Sequence, residues 1–267
     1  MRVPRSTRYS LRGLTAVVFA FLYAPLVVVA IMSFNSSESL AWPPKGFTGK
    51  WWSKAASNSG ARDAFFTSIR TAVAATLLAL VLGSLASFAV HRHRFFGRDV
   101  LSFFIVLPIA LPGIVTGIAL NSAFDRVGIS LGFFTLVVAH ATFCIVIVYN
   151  NVLARLRRLS ANLAEASADL GAPPLATFRH VTFPLLRTAL LAGALLALGL
   201  SFDEIVVTTF TAGPGIETLP QWIYSNLARP TQLPIVNVVA TFVVLISLLP
   251  VWAAQRLTGE AGGLAGR

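Results

Sequence analysis

Residues 14–34 read LTAVVFAFLYAPLVVVAIMSF, twenty-one positions without an Asp, Glu, Lys or Arg. About 20 apolar residues in a helix cross the roughly 30 Å hydrocarbon core of a bilayer, so this stretch is long enough to span one. Similar runs recur at 71–90, 100–120, 127–154 and 230–255, and at 185–210, where Asp203 and Glu204 interrupt. The period-2 alternation of an outer-membrane barrel strand is absent. The expected fold is therefore all-α, with six transmembrane helices near 13–34, 68–90, 100–121, 131–153, 185–211 and 234–256.

Composition agrees. The 267 residues have a mean hydropathy of +0.76, and only 12% are charged, half the roughly 25% of a soluble domain. The single cysteine, Cys144, excludes an intrachain disulfide framework or a Cys-rich zinc site. Arg2, Arg5, Arg8 and Arg12 precede the first run as the n-region of a signal peptide would. That run exceeds the 7–15 residues of a signal core and ends at no small-x-small cleavage site, so it is read as a retained helix.

Cationic residues orient the spans. Fourteen Lys and Arg fall on one side, in the N-terminal tail, after the second and fourth spans and in the C-terminal tail; six fall on the other. Both termini are thus expected in the cytoplasm. The net charge of +11 reflects this topology, and no nucleic-acid partner is inferred from it. The organisation expected is an N-terminal part (1–65) with a periplasmic loop, a core (66–256) and a short cytoplasmic tail (257–267).

Small residues repeat every four positions on two spans: Ala75, Ala79, Gly83 and Ser87, then Ala189, Gly193, Ala197 and Ser201. Such stripes let helix backbones approach closely in lipid. Pro25, Pro108 and Pro112 each free a backbone carbonyl and are expected to kink their helices.

Between the fourth and fifth spans, 155–184 form a patterned loop. Leu156, Leu159, Leu163 and Leu170 share a helical stripe. Asn162 with Glu165 three residues on fits an N-cap and capping box, and Gly171 before Ala172-Pro173-Pro174 is a natural stop. A short helix over 163–170 follows, then an amphipathic segment over 175–181 before Pro184 opens the fifth span. Eight residues make a marginal helix alone in water. It is either a rigid knob for a partner's groove or a satellite helix on the membrane surface.

Glu165-Ala166-Ser167, three residues, Gly171, nine residues and Val181-Thr182-Phe183-Pro184 resembles the EAA motif of binding-protein-dependent ABC transporter permeases. The spacing matches throughout; Ser167, Val181 and Phe183 depart from the family's Ala, Ile and Leu. Ser33-Phe34-Asn35, Trp42 to Phe47, Ala139 to Cys144 and Leu200 to Val207 extend the resemblance to the polyamine branch. The resemblance implies a type I importer transmembrane domain paired with a second permease subunit. It also implies a loop, including Asn162, Glu165, Asp169 and Gly171, that docks on a cytoplasmic ATPase dimer. A periplasmic solute-binding protein would deliver the substrate. ATP and Mg would be used by the ATPase partner, with no cofactor or metal on this chain.

An ionised carboxylate at a bilayer centre costs roughly 2.5–3.5 kcal/mol, so Asp203 and Glu204 need a reason. On a continuous helix Glu204 shares a face with Ser201, Thr208 and Thr211, while Asp203 points with Leu200, Val207 and Phe210. The functional reading places an acid on the translocation path, beside Ser201 and Thr208, attracting a polyamine whose amines are protonated at pH 7. The alternative is a hydrogen bond within the bundle or to the partner permease. His140 and Cys144, one turn apart, make a poor metal site and read as a packed, neutral histidine bonded across helices. Asn121, Asn150 and Asn151 read as helix-end groups, Trp51 and Trp52 as interfacial anchors, and 219–227 as a short periplasmic helix.

No G-x-x-x-x-G-K-[ST] phosphate loop, nucleophile elbow, metalloprotease motif or dinucleotide fingerprint is present. A membrane-embedded enzyme is disfavoured. So is a self-contained ion-coupled transporter, which often carries internal repeats and midplane ion sites. Within the importer class, phosphonate, ferric-ion and sulfate systems share the EAA loop.

Overall fold

The computed structural model describes residues 5–38, 41–160 and 162–263. It is helical: α1 (Arg5–Met32), α2 (Lys50–Ser57), α3 (Ser59–Arg92), α4 (Arg98–Ala110), α5 (Gly113–Arg126), α6 (Phe133–Leu156), α7 (Asn162–Asp169), α8 (Pro174–Thr177), α9 (Phe183–Asp203), α10 (Val206–Thr211), α11 (Leu219–Leu227) and α12 (Leu233–Gly263). Among the described residues the β pairing is one isolated bridge, Asn35 to Phe47. Five helical stretches are long and apolar enough to cross a membrane, and a bent pair, α4 with α5, supplies a sixth if it counts as one span. Backbone contacts divide the chain into two units, residues 1–62 with 222–249 and residues 63–221 with 250–267.

In the first unit, α1 is exposed at every position from 7 to 28. Leu14, Val17 and Phe21 turn outward with no covering side chains, as expected of a helix whose solvent is hydrocarbon. The chain then folds back on itself: Ser36 N–H donates to the Gly46 carbonyl and Thr48 N–H to that of Phe34. Trp51 is 1% exposed, its indole N–H donating to the Asn35 carbonyl at 2.8 Å, while Lys50 and Lys54 lie over its ring. Trp51 is thus a buried clamp for the loop after α1, and the interfacial anchor expected of it is corrected; an indole whose N–H finds a carbonyl can be buried completely.

The second unit is built on α6. Just over half of the most apolar stretch of α6 is buried, against none of α1's. Gly83 of α3 and Gly193 of α9 meet it at one level. A Cβ on Gly83 would fall 2.9 Å from the Ile145 carbonyl oxygen, and one on Gly193 would fall 3.4 Å from the Val148 Cα. Ala75, Ala79 and Ala197 are fully buried in the same core with Ala139, Cys144 and Val148; Ala189 is half-buried. The Ser87 hydroxyl lies 2.7 Å from the Gly83 carbonyl and 3.0 Å from that of Tyr149. The Tyr149 hydroxyl in turn donates to Ser102, tying α4 to α6.

Two spans expected to be single helices are broken. The third, expected over 100–121, bends by 112° between α4 and α5. Pro112 has no N–H for the carbonyl of Pro108 and restricts Leu111, which is extended at φ −85°, ψ 144°. Pro112 instead begins the next helix, its carbonyl accepting from Val115 and Thr116. The fifth, expected over 185–211, starts further back. Helix is continuous from Pro174 to Asp203, passing through a π turn at Phe178–Thr182. Pro184 therefore lies inside a helix rather than opening one. The wider turn, in which Phe183 N–H donates to the Phe178 carbonyl, relieves the clash of its ring with the preceding turn. The same helix then stops at Asp203, and Glu204 is extended at φ −73°, ψ 120° before α10 resumes.

Candidate coupling loop and broken-helix site

The loop between α6 and α9 is braced at several points. Arg155 Nε donates to the Leu185 carbonyl at 2.9 Å and closes its base. Within it, α7 covers Asn162–Asp169, one residue earlier than the expected 163–170. Asn162 is the first helical residue and not the cap; the position before it lies outside the described residues. No capping bond joins Asn162 to Glu165 among the described residues. The stop matches the sequence reading: Gly171 takes φ +80°, Gly171 N–H donates to Ala168 and Ala172 N–H to Ser167, a Schellman end.

Ser167, where the family pattern has Ala, is hydroxyl-bonded to Thr177 at 2.9 Å, clipping α7 to α8. Phe178 stacks edge-on against Phe88 of α3. Since α8 runs without interruption into α9, α7 is fixed to a spanning helix. Glu165, Ala166 and Asp169 are exposed, as is Pro184. The leucine stripe divides: Leu156 is buried and Leu159 packs on the core, but Leu163 is 45% and Leu170 89% exposed. These last two, with Leu175 at 77%, leave apolar side chains uncovered on the loop.

At the break in the fifth span, the Glu204 carboxylate does local work. Its Oε1 accepts the Val207 N–H at 2.8 Å, and its carbonyl accepts the Thr208 hydroxyl at 2.8 Å. Glu204 thus caps the start of α10, where a negative charge also meets the positive end of the helix. Asp203 is exposed, with no hydrogen bond or ion pair among the described residues. The break cancels the continuous-helix geometry from which the two faces were read.

His140 of α6, fully buried, joins both sides of that break. Nδ1 lies 2.7 Å from the Ser201 hydroxyl on α9, and Nε2 lies 2.8 Å from the Thr208 hydroxyl on α10. Thr135 donates to the Thr211 carbonyl, and Cys144 Sγ lies 3.4 Å from the Ala197 carbonyl. Asn121 donates to the Phe210 carbonyl at 2.6 Å, which corrects its reading as a helix-end group. Asn151 does bond within its own helix, to Ile147. Behind this network, Gly117 gives α5 its closeness to α10: a Cβ there would fall 2.7 Å from Phe210. Among the described residues no three His, Cys, Asp or Glu side chains converge as a metal ion would need.

The family model of the binding-protein-dependent transport system inner membrane component matches residues 79–259. That stretch takes in α6, the braced loop and both broken halves. The chain belongs to that family. As a permease it is 36% identical to the spermidine/putrescine transport system permease protein PotC of Escherichia coli K12, over 93% of each chain. It is 34% identical to the putrescine transport system permease protein PotI of the same strain, over 84% of this chain and 82% of the other. A solved bacterial alginate ABC transporter, in complex with an alginate pentasaccharide-bound periplasmic protein, shares the fold. Its TM-score is 0.73 at 12% identity, with 96% of each chain covered. The permease is therefore a multi-pass membrane protein with the type I ABC importer architecture.

Proposed function

We propose that this permease forms half of the translocation path of an ATP-driven importer for a small cationic solute, a polyamine such as putrescine or spermidine. It would sit in a bacterial inner membrane with both termini cytoplasmic and six spans, the bent pair α4–α5 counting as one. Its companions would be a cytoplasmic ATPase dimer, a second permease subunit and a periplasmic solute-binding protein, with ATP and Mg held by the ATPase. The observation that carries the reading is the identity with polyamine permeases across nearly the whole chain. The exposed leucines of a loop locked to α9 fit the ATPase-docking role. The free carboxylate of Asp203 and the half-buried one of Glu204, set where the helix opens, fit a path for ammonium groups.

Uptake of labelled putrescine and spermidine into vesicles holding the assembled importer tests this, with and without ATP. ATP-dependent accumulation of either is expected, and accumulation of neither overturns the substrate. Glu204→Gln keeps an acceptor for the Val207 N–H and removes only the charge. Asp203→Asn does the same at a residue that bonds nothing described. Lower uptake from an intact complex places that charge on the path, whereas unchanged kinetics from both variants removes the acids from it.

A further inference from the structure

The turn between α3 and α4 has a chemistry that the transport reading leaves unused. Its sequence, RHRFFGRD over 92–99, sets Phe95 and Phe96 among Arg92, Arg94 and Arg98, with Asp99 the one acid. Phe96 is fully exposed and Phe95 is 41% exposed, although aromatic rings in an ordinary loop would find cover. Gly97 at φ +85° makes the sharp reversal that pushes the pair outward. None of the three guanidinium groups has a hydrogen-bond or ion-pair partner among the described residues. Arg94, Phe95, Arg98 and Asp99 border an open hollow of about 570 Å³.

The apolar surface does not stop at the turn. No residue of α4 is buried, and Val100, Phe103 and Phe104 continue outward at 58%, 63% and 61% exposure. A water-facing partner would meet only the turn; of the occupants that meet both the turn and α4, a lipid leaflet and the second permease, three arginines facing a single acid favour the anionic lipid. Aromatic rings favour the headgroup level of a bilayer, and arginines just outside a span attract anionic lipid.

We propose that this turn is a binding site for an anionic phospholipid. The phosphate lies between Arg94 and Arg98, Phe95 and Phe96 wedge at the depth of the glycerol backbone, and the acyl chains run along the exposed face of α4. Asp99 beside the phosphate favours a headgroup with hydroxyl donors, such as phosphatidylglycerol. In the orientation proposed above the lipid belongs to the cytoplasmic leaflet.

The full-length chain, purified with the subunits that accompany it, is placed in lipid discs of equal phosphatidylglycerol and phosphatidylcholine. Both faces of a disc are open, so the result does not depend on orientation or on the transported solute. Native mass spectrometry then counts retained lipids. Each cation near an anionic lipid surface is worth about a fivefold change in binding, so Arg94→Gln with Arg98→Gln is expected to lower phosphatidylglycerol retention about twenty-five-fold, leaving phosphatidylcholine unchanged. Phe96→Ser weakens retention of both. An unchanged ratio in the double variant overturns the site, as does loss of a cytoplasmic subunit with lipid retention intact, which would assign the turn to a protein. Should the double variant not accumulate, Phe96→Trp decides. Brominated phosphatidylglycerol must quench its added emission more than brominated phosphatidylcholine does, and equal quenching overturns the proposal.

Discussion

For a neutral His140 ring, the neighbours determine which nitrogen carries the proton. The Thr208 hydroxyl spends its own hydrogen on the Glu204 carbonyl, so it receives one from Nε2; Nδ1 then accepts from Ser201. One neutral ring thereby satisfies a hydroxyl on each side of an interrupted helix. His140→Ala leaves Ser201 without a partner in an apolar interior, where an orphaned polar group costs about 1–3 kcal/mol. A lower thermal midpoint of the purified protein is expected, with Ser201→Ala in the same background recovering part of the loss. The sequence already spoke for a packed histidine bonded across helices, and the ring is fully buried between Ser201 and Thr208. Its partners were out of reach, since Ser201 and Thr208 converge on it only if the intervening helix opens. Asn121 was misread for the same reason: its acceptor, Phe210, is 89 positions away in the chain.

Elements were legible where local chemistry decides them. The short helix over 162–169 ended where Gly171 and two prolines said it must, and α11 occupies the expected 219–227. Breaks were less legible. Pro112 is plain in the sequence, but whether a proline bends a span gently or ends it depends on where the freed carbonyls find partners. At Glu204 neither proline nor glycine gives warning. What stood there was a carboxylate three residues before an N–H it could cap, followed by the β-branched Val206, Val207, Thr208 and Thr209. The loop helix yields its own prediction. Gly171 holds a left-handed conformation with open space around its Cα, so a side chain there meets no clash and is opposed by backbone strain alone, about 1–2 kcal/mol. Gly171→Val should therefore loosen α7 while α6 and α9 remain folded. Retention of the ATPase during purification is expected to fall together with ATP-driven uptake; both at wild-type levels would separate this loop from energy coupling.

For the molecule as a whole, hydropathy identified the class and the approximate positions of the spans, since a bilayer demands long apolar helices whatever their neighbours are. On the second and fifth spans the small residues lie against α6: Ala75, Ala79 and Ala197 are buried with Ala139, Cys144 and Val148, and at Gly83 a Cβ would press on the Ile145 carbonyl. Orientation rests on the imbalance of fourteen cations against six. Enzyme reporters active only inside the cell, fused at either terminus, are expected to work, and the same reporters inserted at 127–132 are expected to be silent. The reverse pattern would invert every assignment of inside and outside made above.

The lone thiol of this chain has a practical side. Cys144 is completely enclosed on α6, with its sulfur against the Ala197 carbonyl, and a maleimide reaches only sulfur that water can reach. The unaltered chain should stay unlabelled in native membranes and take up one dye per molecule once unfolded. A cysteine engineered at an exposed position, such as Phe96 or Leu170, would then carry the only fluorophore, with no need to remove the natural one. The surroundings of that one position could then be followed through a transport cycle on a protein whose interior is untouched.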